Sequence, residues 1–242
     1  MKTLFLLPVC FCLGVVSLCA QTTQPSTDKT EYTFPTWMVG IHGYTGFGNS
    51  DGLHFGYFDA VSGAKISADP GASAGLGIFG YRRIASVWVG GAEIGFSKSS
   101  ALTQVYDNIT ATISRGFTGE VNAGALLFAK YRHRCLLTAG AVYYSNPVLD
   151  LVINDPNGPG NATFNYNPAF GGAINAKYIF VMKKKCGELT FGLKFHVINF
   201  DLDNFEAGGT VNQPEMLNPA YSNFKNPDAS NMSVNIGYQY SF

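Results

Sequence analysis

The sequence predicts an all-β protein: a closed antiparallel up-and-down transmembrane β-barrel of about eight strands. Three observations carry this expectation. Apolar and polar residues alternate with period two in segments of about 9–11 residues, long enough to cross a bilayer as tilted strands. The connections between those segments alternate between long and short. Composition is poor in charge (13%) and rich in aromatics (14%) and glycine (28 of 242 residues), which excludes a disordered chain. Sixteen basic residues balance sixteen acidic ones, so no global field exists to draw nucleic acid.

Residues 1–20 have the layout of a secretory signal: a basic start at Lys2, the apolar runs Leu4–Leu7 and Val9–Leu18, and a small residue at Ala20. A membrane anchor would need a longer run and a basic flank. A lipoprotein leader would need a small residue where Leu18 stands before Cys19. Residues 21–35 then read as a periplasmic linker and 36–242 as the barrel. Cleavage removes Cys10, Cys12 and Cys19, leaving Cys135 and Cys186. Two cysteines make no disulfide scaffold and have no metal-ligand spacing, so they are expected to be unpaired, and neither a metal nor a cofactor is expected.

The strands follow in order. Trp37, Val39, Ile41 and Phe47 alternate with Met38, His42 and Tyr44. Ala72–Tyr81 is a weaker run. Trp88, Ala92, Ile94 and Phe96 alternate around Glu93. In Phe117–Tyr131 the apolar set Phe117, Val121, Ala123, Ala125, Leu127 and Tyr131 faces away from Thr118, Glu120, Asn122 and Lys130. Cys135–Tyr144 is a second weaker run. In Phe170–Phe180, Phe170, Ile174, Ala176, Tyr178 and Phe180 oppose Asn175 and Lys177. In Leu189–Val197, alternate apolar residues oppose Glu188, Thr190, Gly192, Lys194 and His196. The last strand is the clearest: Met232, Val234, Ile236, Tyr238, Tyr240 and Phe242 against Ser233, Asn235, Gly237, Gln239 and Ser241.

Long connections span 48–71, 97–112, 146–166 and 201–230, and tight turns are expected at Arg82-Arg83, Arg132-His133-Arg134 and Lys183-Lys184-Lys185. In an up-and-down barrel all long connections fall at one end. Short periplasmic turns with long external loops are the signature of an outer-membrane barrel, which places the chain in the bacterial outer membrane. A soluble eight-stranded barrel or a β-sandwich would alternate in the same way. Against them stand the aromatics that end the apolar faces, as interfacial girdles do, and the sparse charges of both signs on the polar faces. Loss of Lys2 with the leader leaves 15 basic residues, eight of them at the expected turns, while eleven of the sixteen acids fall in the loops.

Asn235, Gly237, Tyr240 and Phe242 match place for place the C-terminal assembly signal of bacterial outer-membrane proteins, which this strand resembles. The resemblance implies recognition by the barrel-assembly machinery through those four residues. The Ala20-Gln21 junction resembles leader cleavage sites of Bacteroidota, and the whole mature chain is similar to small Bacteroidota outer-membrane barrels. The resemblance implies the OmpA-like or OmpW-like barrel architecture and contact with outer-membrane lipid and lipopolysaccharide. It brings no functional motif.

An eight-stranded barrel is just wide enough to be filled by its own side chains. His42, Tyr44, Glu93, Glu120, Lys177, Lys194 and His196 are the candidate lumen residues, expected to pair as a plug. Some barrels of this size deacylate lipid with a Ser two residues after a His. Here Tyr44, Gly56, Cys135 and Ile198 occupy those places after His42, His54, His133 and His196, so no catalytic residues are assigned and an enzyme is not expected. Asp201, Asp203 and Glu206 offer oxygen ligands but match no calcium loop. The expected role is structural or surface-interacting with a plugged lumen. The alternatives are an OmpW-like conduit or binding protein for a small hydrophobic compound, and an accessory subunit of a secretion or surface complex with an unidentified partner.

Overall fold

The computed structural model describes residues 33–48, 53–58, 65–102, 107–154, 160–182 and 186–242. The leader, most of the linker and the Lys183-Lys184-Lys185 turn lie outside the described residues.

Strand β1 (Trp37–Gly48) opens the wall, and β2 (Leu53–Phe58) and β3 (Lys65–Ala68) pair as a hairpin in the first long connection. The wall continues through β4 (Ser73–Ala85), β5 (Trp88–Ser100), β6 (Ile109–Leu127) and β7 (His133–Tyr144). A second hairpin, β8 (Val148–Ile153) and β9 (Gly160–Tyr166), precedes wall strands β10 (Ala169–Val181) and β11 (Glu188–Val197). A third, β12 (Leu202–Ala207) with β13 (Thr210–Asn212), precedes β14 (Asn231–Ser241). Two 3-10 turns, Pro214–Met216 and Pro219–Phe224, lie between the last two strands.

The eight long strands close antiparallel in the order β1-β4-β5-β6-β7-β10-β11-β14 and back to β1. At the seam Val39 stands opposite Tyr240 and Ile41 opposite Tyr238. Beyond the last paired residues, the Thr36 and Trp37 amides donate to the Phe242 carbonyl at 2.8 Å, and the Phe242 amide donates to Trp37 at 3.0 Å.

The outside of the ring is apolar. Ile41 (60% exposed), Ile78 (62%) and Val121 (70%) project from its middle; Trp88, Tyr240 and Phe242 are exposed toward the short turns, and Phe47, Phe96 and Phe170 toward the long connections. An apolar belt between two aromatic rims suits hydrocarbon between two interfaces and would be an aggregation surface in water. The fold is therefore the closed eight-stranded antiparallel barrel that the sequence predicts, of the outer-membrane type.

The long connections are more ordered than the sequence suggests. The outer third of β6 pairs with β8, and β8, β9, β12 and β13 carry that sheet on beyond the barrel as an external cap. Their Asn, Asp and Gly content reads as loop in the sequence, yet Val148–Ile153 is an aliphatic run broken only by Asp150 that finds a partner in Ile109–Ser114.

Two turn assignments change. Strand β4 runs past Arg82-Arg83 to Ala85, and the reversal falls at Ser86-Val87. Aromatic cover holds these arginines in the sheet: the Arg82 guanidinium lies 5.2 Å over Trp37 and that of Arg83 5.0 Å over Phe34. Arg134 is not a turn residue; it is 3% exposed and turned into the barrel.

Candidate functional site

The candidate site is the lumen, and it is built in layers. Toward the short turns, Met38, Phe79, Tyr81, Leu126, Leu136 and Ile179 form a buried apolar floor. The sequence reading puts Met38 on the face of His42 and Tyr44 but does not assemble this floor, because its residues come one or two to a strand, with Phe79 and Tyr81 both on β4. Below it Glu188 accepts from Arg134 Nη1 (2.8 Å), Gln239 Nε2 (2.6 Å) and Ser241 Oγ (2.7 Å).

Above the floor lies the charged layer, where six of the seven candidate lumen residues meet. Glu93 and Glu120 are direct partners across the β5–β6 ladder. Lys194, reaching across from β11, donates to Glu93 Oε1 at 2.5 Å and Glu120 Oε2 at 2.7 Å. His42 Nε2 stands 2.9 Å from Glu93, within ion-pair distance but off hydrogen-bond geometry. Room for this ring exists because Gly77 adjoins it: a Cβ there would come within 2.6 Å of His42 Nε2 and 3.2 Å of Glu93. Lys177 sits at the lower edge, its ammonium 3.7 Å over the Phe79 ring and 4.0 Å from Glu93.

A hydrogen-bonded chain leads from this layer toward the external mouth. His196 Nε2 donates to Glu120 Oε1 (2.9 Å), Tyr144 donates to His196 Nδ1 (2.6 Å), and Arg115 Nη1 donates to Tyr144 (3.2 Å). Glu120, as a carboxylate, can only accept, which puts a proton on His196 Nε2 and leaves Nδ1 of the neutral ring to accept from Tyr144. Arg115 also donates to the Pro70 carbonyl (3.2 Å), and the Asn231 amide oxygen, turned toward it, accepts at 2.5 Å and 3.1 Å.

Arg115 and Tyr144 were missed by the sequence reading, and the reason is local. Gly116 has φ +60°, and Arg115-Gly116 together face Ser97 alone. This bulge shifts the alternation by one residue, so Arg115 points inward with Thr118 and Glu120 although the phase appears broken. A glycine followed by restored alternation was the available signal.

Tyr44, the seventh candidate, lines a small cavity with Ser73, Thr118 and Arg115; its hydroxyl lies 3.4 Å from the Phe96 carbonyl. The cavity measures about 10 Å³, room for about one water. Apolar residues of the cap core, among them Ile113, Val142, Ile198 and Phe200, lie beyond it. Of the assembly-signal residues, Asn235 is buried in the lumen and Gly237 packs against His42, while Tyr240 and Phe242 face outward. Cys135 is buried, Cys186 is exposed, and both are free thiols. Asp201, Asp203 and Glu206 do not converge with other acids or histidines among the described residues.

No protein-family model matches the sequence, and no curated protein matches it. Solved structures match the fold. A major outer membrane protein from Thermus thermophilus superposes with TM-score 0.50 at 11% identity, over 85% of this chain and 99% of that one. Neisserial surface protein A gives 0.44 at 9% identity, covering 86% and 97%. Ail, the attachment invasion locus protein of Yersinia pestis, gives 0.40 at 10%, covering 86% and 100%.

Proposed function

We propose that this chain is an outer-membrane surface barrel of the small Bacteroidota kind, with a closed lumen and an external cap that carries its function. The observation that supports closure is Lys194 held between Glu93 and Glu120, with a buried apolar floor on one side and the cap core on the other. Water belongs beside Asn122, Asn175 and Asn235, whose buried amides meet no protein partner. An ion, in contrast, would have to displace a paired ammonium and then cross a hydrocarbon layer. Glu93, Glu120, Lys177, Lys194, His42 and His196 thus act in this reading as a structural plug. The role requires no catalytic step, metal or cofactor.

The same reading gives the remaining expectations their place. The leader directs export, the lipid-facing belt meets phospholipid and lipopolysaccharide, and Asn235, Gly237, Tyr240 and Phe242 present the last strand to the barrel-assembly machinery. Planar-bilayer recording of the purified barrel tests closure. The expected record is flat at both polarities; steady open-channel steps from the wild-type protein would overturn the plug.

A further inference from the structure

We infer that the external cap holds a binding site for a small, flat, largely apolar molecule. The site is a cavity of about 360 Å³ between the outer sheet and the two 3-10 turns. Its origin can be read from the register. Leu149, Phe164 and Phe205 lie opposite one another across β8, β9 and β12 and fill their row. In the next row Leu151 meets Ala162 and Ala207, so two of the three positions carry only a methyl group. The hollow left above those alanines is roofed by Met216, Leu217, Tyr221 and Phe224.

Three features argue for a ligand rather than loose packing. The aromatic walls pack on one another: Phe164 lies 6.1 Å from Phe205 with rings near parallel at 19°, and 4.8 Å from Phe224. The volume falls in the range of roughly 300–1,000 Å³ that accepts a drug-sized molecule, far above the water-sized gaps of a packed core. The position is beyond the bilayer, where lipid chains do not reach to fill it. A larger hollow of about 510 Å³ on the barrel wall, at Ile41, Gly43, Leu76 and Ile94, differs in this respect: it lies within the lipid-facing belt. Four aromatic rings select a flat apolar occupant. Asn218 and Tyr221 are the polar residues of an otherwise apolar lining. The site does not depend on whether the lumen is closed.

Benzophenone tests this directly, being an apolar diaryl ketone with one carbonyl that couples to neighbouring C–H bonds on irradiation. The full barrel in lipid nanodiscs is irradiated with it, and adducts are mapped by peptide mass spectrometry. Saturable labelling is expected within residues 202–224. It should fall by about tenfold or more in Ala207→Trp, which fills the hollow. Glu206→Trp, the same bulk on the opposite face of β12, should label like the parent. Adducts confined to the lipid-facing belt near Ile41 and Leu76 would overturn the site. So would undiminished labelling of Ala207→Trp, or an equal loss in Glu206→Trp, which would report deformation of the cap instead of occupancy. A conducting channel in planar bilayers would leave all these outcomes unchanged, so the two readings fail separately.

Discussion

Glu93 and Glu120 are partners across the β5–β6 ladder, so two like charges stand side by side before any other strand is considered. Directly opposed like charges weaken a sheet, and in a lumen water cannot screen them. Lys194 reverses the sign of this arrangement by taking one oxygen from each. Removing one partner of a buried ionic cluster leaves uncompensated charge. Lys194→Met is therefore expected to cost about 3–5 kcal/mol, measured by denaturant unfolding in lipid vesicles with Trp37 and Trp88 fluorescence. Lys177→Met tests the assignment. Its ammonium is 4.0 Å from Glu93 and rests on Phe79, so Glu93 keeps both Lys194 and His42 when it goes. That variant should remain within about 1 kcal/mol of the parent, since an apolar side chain of similar length packs on the same ring. Equal losses in the two variants would show that charge number alone, and not the Lys194 bridge, stabilises the layer.

Strands differ in how openly the sequence declares them. Wall strands have one face in hydrocarbon and one in a polar lumen, so the environment enforces period two, and β11 and β14 follow it almost without exception. The six lumen residues that converge were legible for the same reason: a charged residue on such a strand has only the inside to point to. Arg115 escaped because a bulge resets the phase, and the apolar floor escaped as a unit because its residues come one or two to a strand and leave no periodic trace. The cap strands escaped for a different reason. Water lies on one side of them and a small core on the other, so Asp203, Asn204 and Glu206 sit in β12 beside Leu202 and Phe205 and read as loop. The same contrast predicts tolerance. Ile78→Arg, in the middle of the belt, should cost about 2–4 kcal/mol in vesicles. Thr210→Arg, exposed at the start of β13, should be within about 0.5 kcal/mol of neutral. If Ile78→Arg is as mild as Thr210→Arg, the belt does not face lipid.

On the scale of the molecule, charge is distributed along the barrel axis, though less simply than the sequence suggests. Arg82, Arg83, Lys130 and Arg132 are exposed at the short-turn end, while Arg134 is taken inside by Glu188. Several external acids are spent on the fold. Asp69 accepts from the Gly48 and Gly71 amides, Asp150 from Thr163, and Asp228 from the Ser230 amide. The barrel thus carries side chains packed across its lumen and a cap of paired strands on its external side. The seam where Phe242 exchanges hydrogen bonds with Trp37 has one more consequence. Because the two edges are already joined as any other neighbours are, geometry does not care which strand is made first. A circular permutant opened between residues 48 and 53, with a short linker joining 242 to 36, should refold in detergent and keep the faster gel migration of unboiled barrel. On the proposed reading of Asn235, Gly237, Tyr240 and Phe242 by the assembly machinery, it should accumulate unassembled in cells, since the linker embeds that strand within the chain. Identical migration of boiled and unboiled permutant would mean that strand order is part of the architecture itself.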